Sequence, residues 1–487
     1  MALPMKDVVV LLPGITGSRL TREGRDVWAL SPGALMRGLV SGGGTVRQLA
    51  LGEDDPGAEH LSDGVRAPSL MPDLSILPGL RWRIDGYGAV DVALRRRFHL
   101  TPGENYFPFP YDWRRDNRAH AHRLARESAG WLAAWRAESG NADARLVLIA
   151  HSMGGLVARY FLECLEGWRD TRTLITFGTP YSGSLNALGF LANGLRKKLG
   201  PLTLADLGAT VATFTSVYQL LPVFQSVDLG DGVLRRLGDL AAPGGAGGGA
   251  PLQEPYGERA SALLERLDPW RLEAALRFHR EIDEAVTRHR AEDYEGTGGY
   301  DIRPVIGEFQ PTAQSAVVEG AGVRLLEERN GADEGGDGTV PRLSSVPREL
   351  FGTMANVAFA AHRHSALQNS DPVLTHVHGL LRGTPADPGM FFAGMTRVAL
   401  DVDELFAAGE PVRVRARCDS PGTRLSAHLE DAASRVVVER RTLGQVGQEW
   451  REFEMEAPPP GDYRLVLSGR ADVDRVSEVF TVVDTDS

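Results

Sequence analysis

In the stretch LIAHSMGGLVARYF, Leu148–Phe161, a serine follows a short apolar run and precedes residues at helical spacing. A serine hydroxyl is a weak nucleophile at neutral pH. It needs a base beside it, a third group to hold that base, and donors for the oxyanion. A nucleophile elbow, G-x-S-x-G, presents such a serine. The turn from strand to helix lifts its side chain above the sheet and faces the helix N-terminus towards the developing charge. Here the text reads Ala150-His151-Ser152-Met153-Gly154. Alanine replaces the first glycine, but it is small enough where strand crowds helix, and Gly155 adds room. The competing reading is an ordinary serine in a strand-turn-helix, so Ser152 needs support from elsewhere in the chain.

Three other stretches supply it. VVVLLPGITGSRL, residues 8–20, ends an apolar run in a tight turn. There the backbone N–H of Ile15 is a candidate oxyanion donor beside that of Met153, with Gly14 and Gly17 allowing close approach. EGGDGTVPRLSS, 334–345, sets Asp337 between glycines, with Asp333 as its nearest competitor. Asp-Gly is also ordinary turn chemistry. AAHRHSALQNSDPVLTHVHGLL, 360–381, offers four histidines. His364 is the candidate base and His362 the second choice, while His376 and His378 fall on a helical stretch as surface or packing residues. The order Ser152, Asp337, His364 is the one expected for an α/β-hydrolase. CxxC, HExxH and phosphate-loop patterns are absent, so neither a metal nor a cofactor is expected.

The elements that must position these residues follow from periodicity. Short apolar runs at 7–12, 144–150, 172–178, 301–309 and 354–361 read as strands. Between the second and third, Leu156, Val157, Tyr160, Phe161 and Cys164 recur at helical spacing, which makes a βαβ unit and a parallel sheet. Residues 181–298 read as an interrupted helical cap. It contains the low-complexity loop Pro243–Pro251 and a helix opened by Asp268-Pro269. The expected fold is α/β: an α/β-hydrolase domain over 1–382 with a mostly parallel sheet and helical cap, then a linker at 383–394. Seven short strands from about 395 to 487 predict an all-β immunoglobulin-like sandwich, with Tyr463 as a corner tyrosine.

The chain has 487 residues and a formal net charge of -11, which disfavours nonspecific nucleic-acid binding. Its only lysines are Lys6, Lys197 and Lys198, a bias read as genome composition. Cys164 and Cys418 make no disulfide framework. The N-terminal segment reads as a strand and not a signal peptide. No run reaches the ~18 uncharged apolar residues of a membrane span. A cytoplasmic protein is expected, peripheral at most to the inner face of the membrane.

VVVLLPGITGSRL, FPYDWR, AHSMGGLVARYF, TFGTPYSGS, GDGTVP and HSALQN, in this order, resemble the lecithin:cholesterol acyltransferase-like family, and the chain looks like a bacterial-type member. The resemblance spans roughly 5–382. It implies an α/β-hydrolase fold with a helical cap, acting on acyl esters of lipids. It maps the nucleophile to Ser152, the acid to Asp337, the base to His364, and the oxyanion donors to Ile15 and Met153. Asp112, Trp113 and Arg114 fall in a segment beside the active site, with a structural role. The family usually has glycine where Ala150 stands.

The expected reaction is a two-step acyl transfer from a glycerophospholipid or other lipid ester at a membrane surface, through an acyl-enzyme on Ser152. The apolar stretches 28–40 and 202–224, with Trp28, Leu220 and Phe224, are substrate or lid candidates. Arg196, Lys197 and Lys198 either meet anionic headgroups or form a solvated helix end. Two alternatives stand beside this reading: a soluble esterase or thioesterase on small esters, and a non-catalytic binding or scaffold protein. The C-terminal sandwich leaves room for a protein partner or serves as a brace.

Overall fold

The structure is a computed structural model of the chain. It describes all residues except 1, 29–47, 73, 78–81, 195–197, 200–201, 204, 243–251, 253, 294–298, 353–355, 384–394 and 485–487. The Pro243–Pro251 loop, nearly all of the 383–394 linker and most of the 28–40 stretch thus lie outside the described residues, as do Arg196 and Lys197.

Six parallel strands form the central sheet: β1 (Val8–Leu12), β2 (Tyr106–Pro108), β3 (Leu146–His151), β4 (Thr171–Phe177), β5 (Asp301–Gly307) and β6 (Ala358–Ala360). Their spatial order is β2-β1-β3-β4-β5-β6. Buried on both faces, these strands read as continuous apolar runs, but their residues still alternate between two cores. Val8, Val10, Leu146, Leu148 and Leu174 enter one. Val9, Leu11, Val147, Ile149 and Ile175 enter the other.

Helices cover both faces. On the second core lie α1 (Gly88–Arg97), through Val90 and Leu94, and the late helix at 371–381, through Val373 and Val377. On the first lie α2 (Asn117–Ser139) and α3 (Gly154–Cys164). The side chain of Asp116 caps α2 by accepting from the Arg118 N–H, and Gly140, at φ 69, ends it. Between β4 and β5 come α4 (Leu185–Asn193), α5 (Tyr256–Leu264) and α6 (Pro269–Arg288). Asp268 caps α6, accepting from the Arg271 N–H, with Pro269 in its first turn. This region is not purely helical. Two-residue strands at Val227–Asp228 and Leu234–Arg235 join Ser315–Glu319 and Gly322–Leu326 in a four-stranded sheet. The late helix is α7 (Asp371–Leu381).

The C-terminal strands are β7 (Val398–Val402), β8 (Leu405–Ala407), β9 (Val412–Cys418), β10 (Thr423–Asp431), β11 (Val437–Val446), β12 (Arg451–Met455), β13 (Gly461–Ser468) and β14 (Val476–Val483). They make a three-stranded sheet, β7-β9-β12, and a five-stranded sheet, β8-β14-β13-β10-β11. One apolar cluster joins the two: Leu400, Val414 and Met455 from the first sheet share it with Leu429, Leu465 and Phe480 from the second. The short β8, which pairs in parallel with β14, adds an eighth strand to the seven read from periodicity.

Candidate active site

The strand order reverses beside β1: β2 lies on one flank, while β3 and all later strands lie on the other. At such a reversal the loops leaving the carboxyl ends of two neighbouring strands part and open a crevice. Ser152 leaves β3 there, and Pro13–Thr16 leaves β1. Ser152 has φ 51, the strained left-handed conformation of an elbow. Its N–H donates to the Phe177 carbonyl at 2.9 Å, and its own carbonyl accepts from the Thr179 hydroxyl at 3.0 Å. Glycines let the two loops touch: a Cβ on Gly14 would stand 2.8 Å from the Ser152 Cβ, and one on Gly154 would stand 2.4 Å from the Pro13 carbonyl oxygen. Ala150 is fully buried at the end of β3.

The structure brings Ser152, His364 and Asp337 together although 212 and 27 residues separate the two bonded pairs. His364 Nε2 lies 2.9 Å from Ser152 Oγ, and Nδ1 lies 2.7 Å from Asp337 Oδ2. The other carboxylate oxygen accepts from the N–H groups of Thr339 and Val340, at 2.9 and 2.7 Å. The His364 N–H donates to the Asp337 carbonyl at 2.8 Å, which ties the two loops directly. Gly178, at φ 54, makes room: a Cβ there would fall 2.7 Å from Asp337 Oδ2 and 2.8 Å from His364 Nδ1. All three side chains are buried. The backbone N–H groups of Ile15 and Met153 face no intrachain acceptor among the described residues, and Met153 stands at the N-terminus of α3.

Competing residues are held elsewhere. Asp333 accepts from the Gln314 amide and the Gly335 N–H. His362 pairs with the Ser370 hydroxyl at 2.7 Å, and burial lowers its pKa to about 4. His376 is buried on α7, and His378 packs against Phe98. Burial pushes the thiols of Cys164 and Cys418 up to about 12 and about 11, far from a reactive thiolate. Among the described residues no cluster of His, Cys, Asp or Glu is placed to hold a metal ion.

Two neighbours of the candidate site were missed from sequence. The Tyr87 hydroxyl accepts from the Gly14 N–H at 2.6 Å and donates to His151 Nδ1 at 2.8 Å. His151 Nε2 then carries the ring proton and donates to the His364 carbonyl at 3.1 Å. Burial, reinforced by His364, pushes the His151 pKa well below its ordinary value, in keeping with a neutral ring. His151 sat in plain view beside Ser152. Nothing in the spacing pointed to Tyr87.

The PYDWR segment buttresses the same turn. The Tyr111 hydroxyl donates to the Pro13 carbonyl at 2.7 Å, and Trp113 Nε1 donates to the Ser18 carbonyl at 3.1 Å. Arg114, fully buried, holds Asp112 through Nε and Nη2 and reaches Asp63 at 2.8 Å. Trp28, Leu220 and Phe224 are only 6%, 2% and 7% exposed and belong to the main apolar cluster, not to a presented surface. Trp28 packs edge-on against Trp113, with ring centroids 5.0 Å apart.

Residues 97–238, which include Ser152 but neither Asp337 nor His364, match the lecithin:cholesterol acyltransferase family. Over that stretch the chain is lecithin:cholesterol acyltransferase-like. It is 33% identical over 114 residues to the human lysosomal phospholipase A and acyltransferase, a match covering 22% of this chain and 26% of that protein. The chain thus spans about a quarter of the relative's length. Among solved structures, the Bacillus licheniformis lipase BlEst2 in its propeptide form is 10% identical, with 99% of this chain and 94% of that chain covered and a TM-score of 0.34. An immunoglobulin-like β-sandwich protein from Bacteroides vulgatus is 16% identical, covering 18% of this chain and 96% of its own, with a TM-score of 0.13.

Proposed function

We propose that this chain is a serine acyl-ester hydrolase or acyltransferase acting on lipid esters, with glycerophospholipids as the substrate class. The observation that carries the reading is the unbroken series from Asp337 through His364 to Ser152, ending at a serine in the elbow conformation. In this reading Ser152 Oγ attacks the ester carbonyl carbon and His364 Nε2 takes its proton. Asp337 keeps the proton on Nδ1 and stabilises the imidazolium. The N–H groups of Ile15 and Met153 receive the oxyanion. His364 then protonates the departing lysolipid oxygen, leaving an acyl group on Ser152. Water, or a lipid hydroxyl deprotonated by His364, resolves that ester, which gives hydrolysis or transfer.

The lecithin:cholesterol acyltransferase-like segment, residues 97–238, supports the lipid substrate, and the two C-terminal sheets are read as an immunoglobulin-like sandwich. Tyr463, whose hydroxyl donates to the Pro459 carbonyl at 2.7 Å, supports that reading as its corner tyrosine. No described helix is long and apolar enough to cross a membrane. Contact with lipid is proposed as peripheral. A second reading, an esterase of small soluble esters, is favoured by the burial of Trp28, Leu220 and Phe224.

Mass spectrometry of mixed-phospholipid liposomes incubated with wild type and with Ser152→Ala tests both. Lysolipid and fatty acid from wild type alone support a phospholipase, and acylated alcohols a transferase. Turnover of monomeric esters with none of liposomes moves the function to the second reading. Failure of a fluorophosphonate to label Ser152 would refute any serine mechanism.

A further inference from the structure

The loops carrying His364 and Asp337 are gripped from the C-terminal sheets. Glu478, on β14, is buried with both carboxylate oxygens engaged. Oε2 accepts from Arg363 Nε at 2.7 Å, and Oε1 accepts from the Ser365 hydroxyl at 2.7 Å. These are the residues on either side of His364. Arg83 closes the cluster, 3.6 Å from Glu478, and donates to the carbonyls of Val402 and Val479. Arg363 also donates to the Leu400 carbonyl at 2.7 Å, and its guanidinium covers Gly338, where a Cβ would stand 2.7 Å from Cζ. Gly338 follows Asp337.

A second grip reaches the acid. The Gln310 N–H donates to the Gly336 carbonyl at 3.0 Å, beside Asp337. The Gln310 side chain bridges to β7, donating to the Val398 carbonyl at 2.8 Å and accepting from the Leu400 N–H at 3.1 Å. A buried carboxylate between two arginines is costly to desolvate and is held only by such full pairing. Burial alone would raise the Glu478 pKa, but Arg83, Arg363, the Ser365 hydroxyl and the Val479 N–H hold it below the ordinary carboxylate value.

We propose that the C-terminal sheets are a working part of the active site: Glu478 and the β7 backbone position the loops bearing His364 and Asp337, so the pair is competent only while these strands are seated. The proposal rests on the serine-hydrolase reading. Glu478 is a positioning residue, since it touches neither Ser152 nor a substrate.

The test uses the full chain. Glu478→Gln keeps the shape and removes the charge. Ser365→Ala removes one hydroxyl. Glu454→Gln, on the exposed side of β12, is the control. Each variant is assayed for kcat and KM on an ester, for the rate of fluorophosphonate labelling of Ser152, for thermal midpoint, and for the downfield Nδ1 proton of His364 by NMR. Glu478→Gln is expected to lower kcat and labelling at least tenfold with KM within twofold, and to shift or broaden the proton. Ser365→Ala should do the same more weakly, and Glu454→Gln should change nothing. A folded Glu478→Gln with wild-type kcat and an unmoved proton overturns the proposal. If Glu478→Gln does not fold, Ser365→Ala decides by the same two readouts. Wild type that fluorophosphonate does not label refutes the hydrolase reading instead, and the position of the proton then decides the clamp by itself.

Discussion

His151 Nε2 lies 3.1 Å from the carbonyl oxygen of His364, so the residue before the candidate nucleophile holds the backbone of the candidate base. Through Tyr87 the same ring reaches the Gly14 N–H on the candidate oxyanion loop. Tyr87→Phe removes one hydroxyl and leaves the Gly14 N–H and His151 Nδ1 buried without partners. The expected cost is about 1–3 kcal/mol in stability and up to about 10²-fold in kcat through misplacement. Denaturant unfolding and steady-state kinetics measure both, and a kcat within twofold of wild type would show that the bridge positions nothing.

Replacing the candidate nucleophile or the candidate base separates catalysis from fold. Ser152→Ala and His364→Ala are each expected to lose on the order of 10⁶-fold in kcat. Circular dichroism should be unchanged. Activity that persists in purified Ser152→Ala would assign the reaction to another residue or to a contaminant.

Glycine positions should respond to space rather than chemistry. Gly14→Ala places a methyl 2.8 Å from the Ser152 Cβ and 3.2 Å from His151 Nδ1, so either loop or serine must move. Labelling of Ser152 should fall sharply. Ala150→Gly, by contrast, should keep its activity at a cost of about 0.5–1 kcal/mol in stability, because a strand glycine loses more entropy on folding. Equal labelling of Gly14→Ala and wild type would contradict the close approach of the two turns.

The buried Asp112–Arg114 pair should matter to stability first. Asp112→Ala strips a fully buried guanidinium of its two-pronged partner and leaves Asp63, which is partly exposed, in support. Breaking such a pair costs about 3–5 kcal/mol. Chemical denaturation reads this, and a loss below about 1 kcal/mol, the worth of an ordinary hydrogen bond, would show that Asp63 alone suffices.

Stability should fall with acid between pH 6.5 and 4. Burial lowers the pKa of His279 and of His362 from 6.5 to about 4 in the folded chain. The unfolded chain therefore binds protons first, and below pH 6.5 stability drops as pH falls until about 4, where the folded rings charge as well. Each contributes on the order of 3 kcal/mol over that window. Denaturant midpoints compared at neutral pH and at steps down through the window test this, with His362→Gln expected to flatten the profile. A midpoint constant across the window would refute it.

Periodicity and turn chemistry made much of the frame legible. The runs at 7–12, 144–150 and 172–178 became β1, β3 and β4 within two residues at each end, because strands buried on both faces are continuous and apolar. The Asp268-Pro269 signal opens α6 at the expected residue. Among the described residues of the run 354–361 only the three of β6 form strand, and the short strands at 227–228 and 234–235 carry too few residues for any period to show. Trp28, Leu220 and Phe224 were apolar in the text. Composition alone cannot tell a lid from a core, and these three pack inside.

Residue type and order by themselves determined which serine, aspartate and histidine were candidates, because elbow and turn chemistry are local. Only the tertiary structure decided that His364 and not His362 faces Ser152, since the two differ by which side of one loop meets Ser370. It alone joined Tyr87, His151 and Glu478 to that site. Their partners lie 64 to 213 residues away along the chain, and such contacts follow from strand order and sheet packing, for which no short stretch of sequence carries a period.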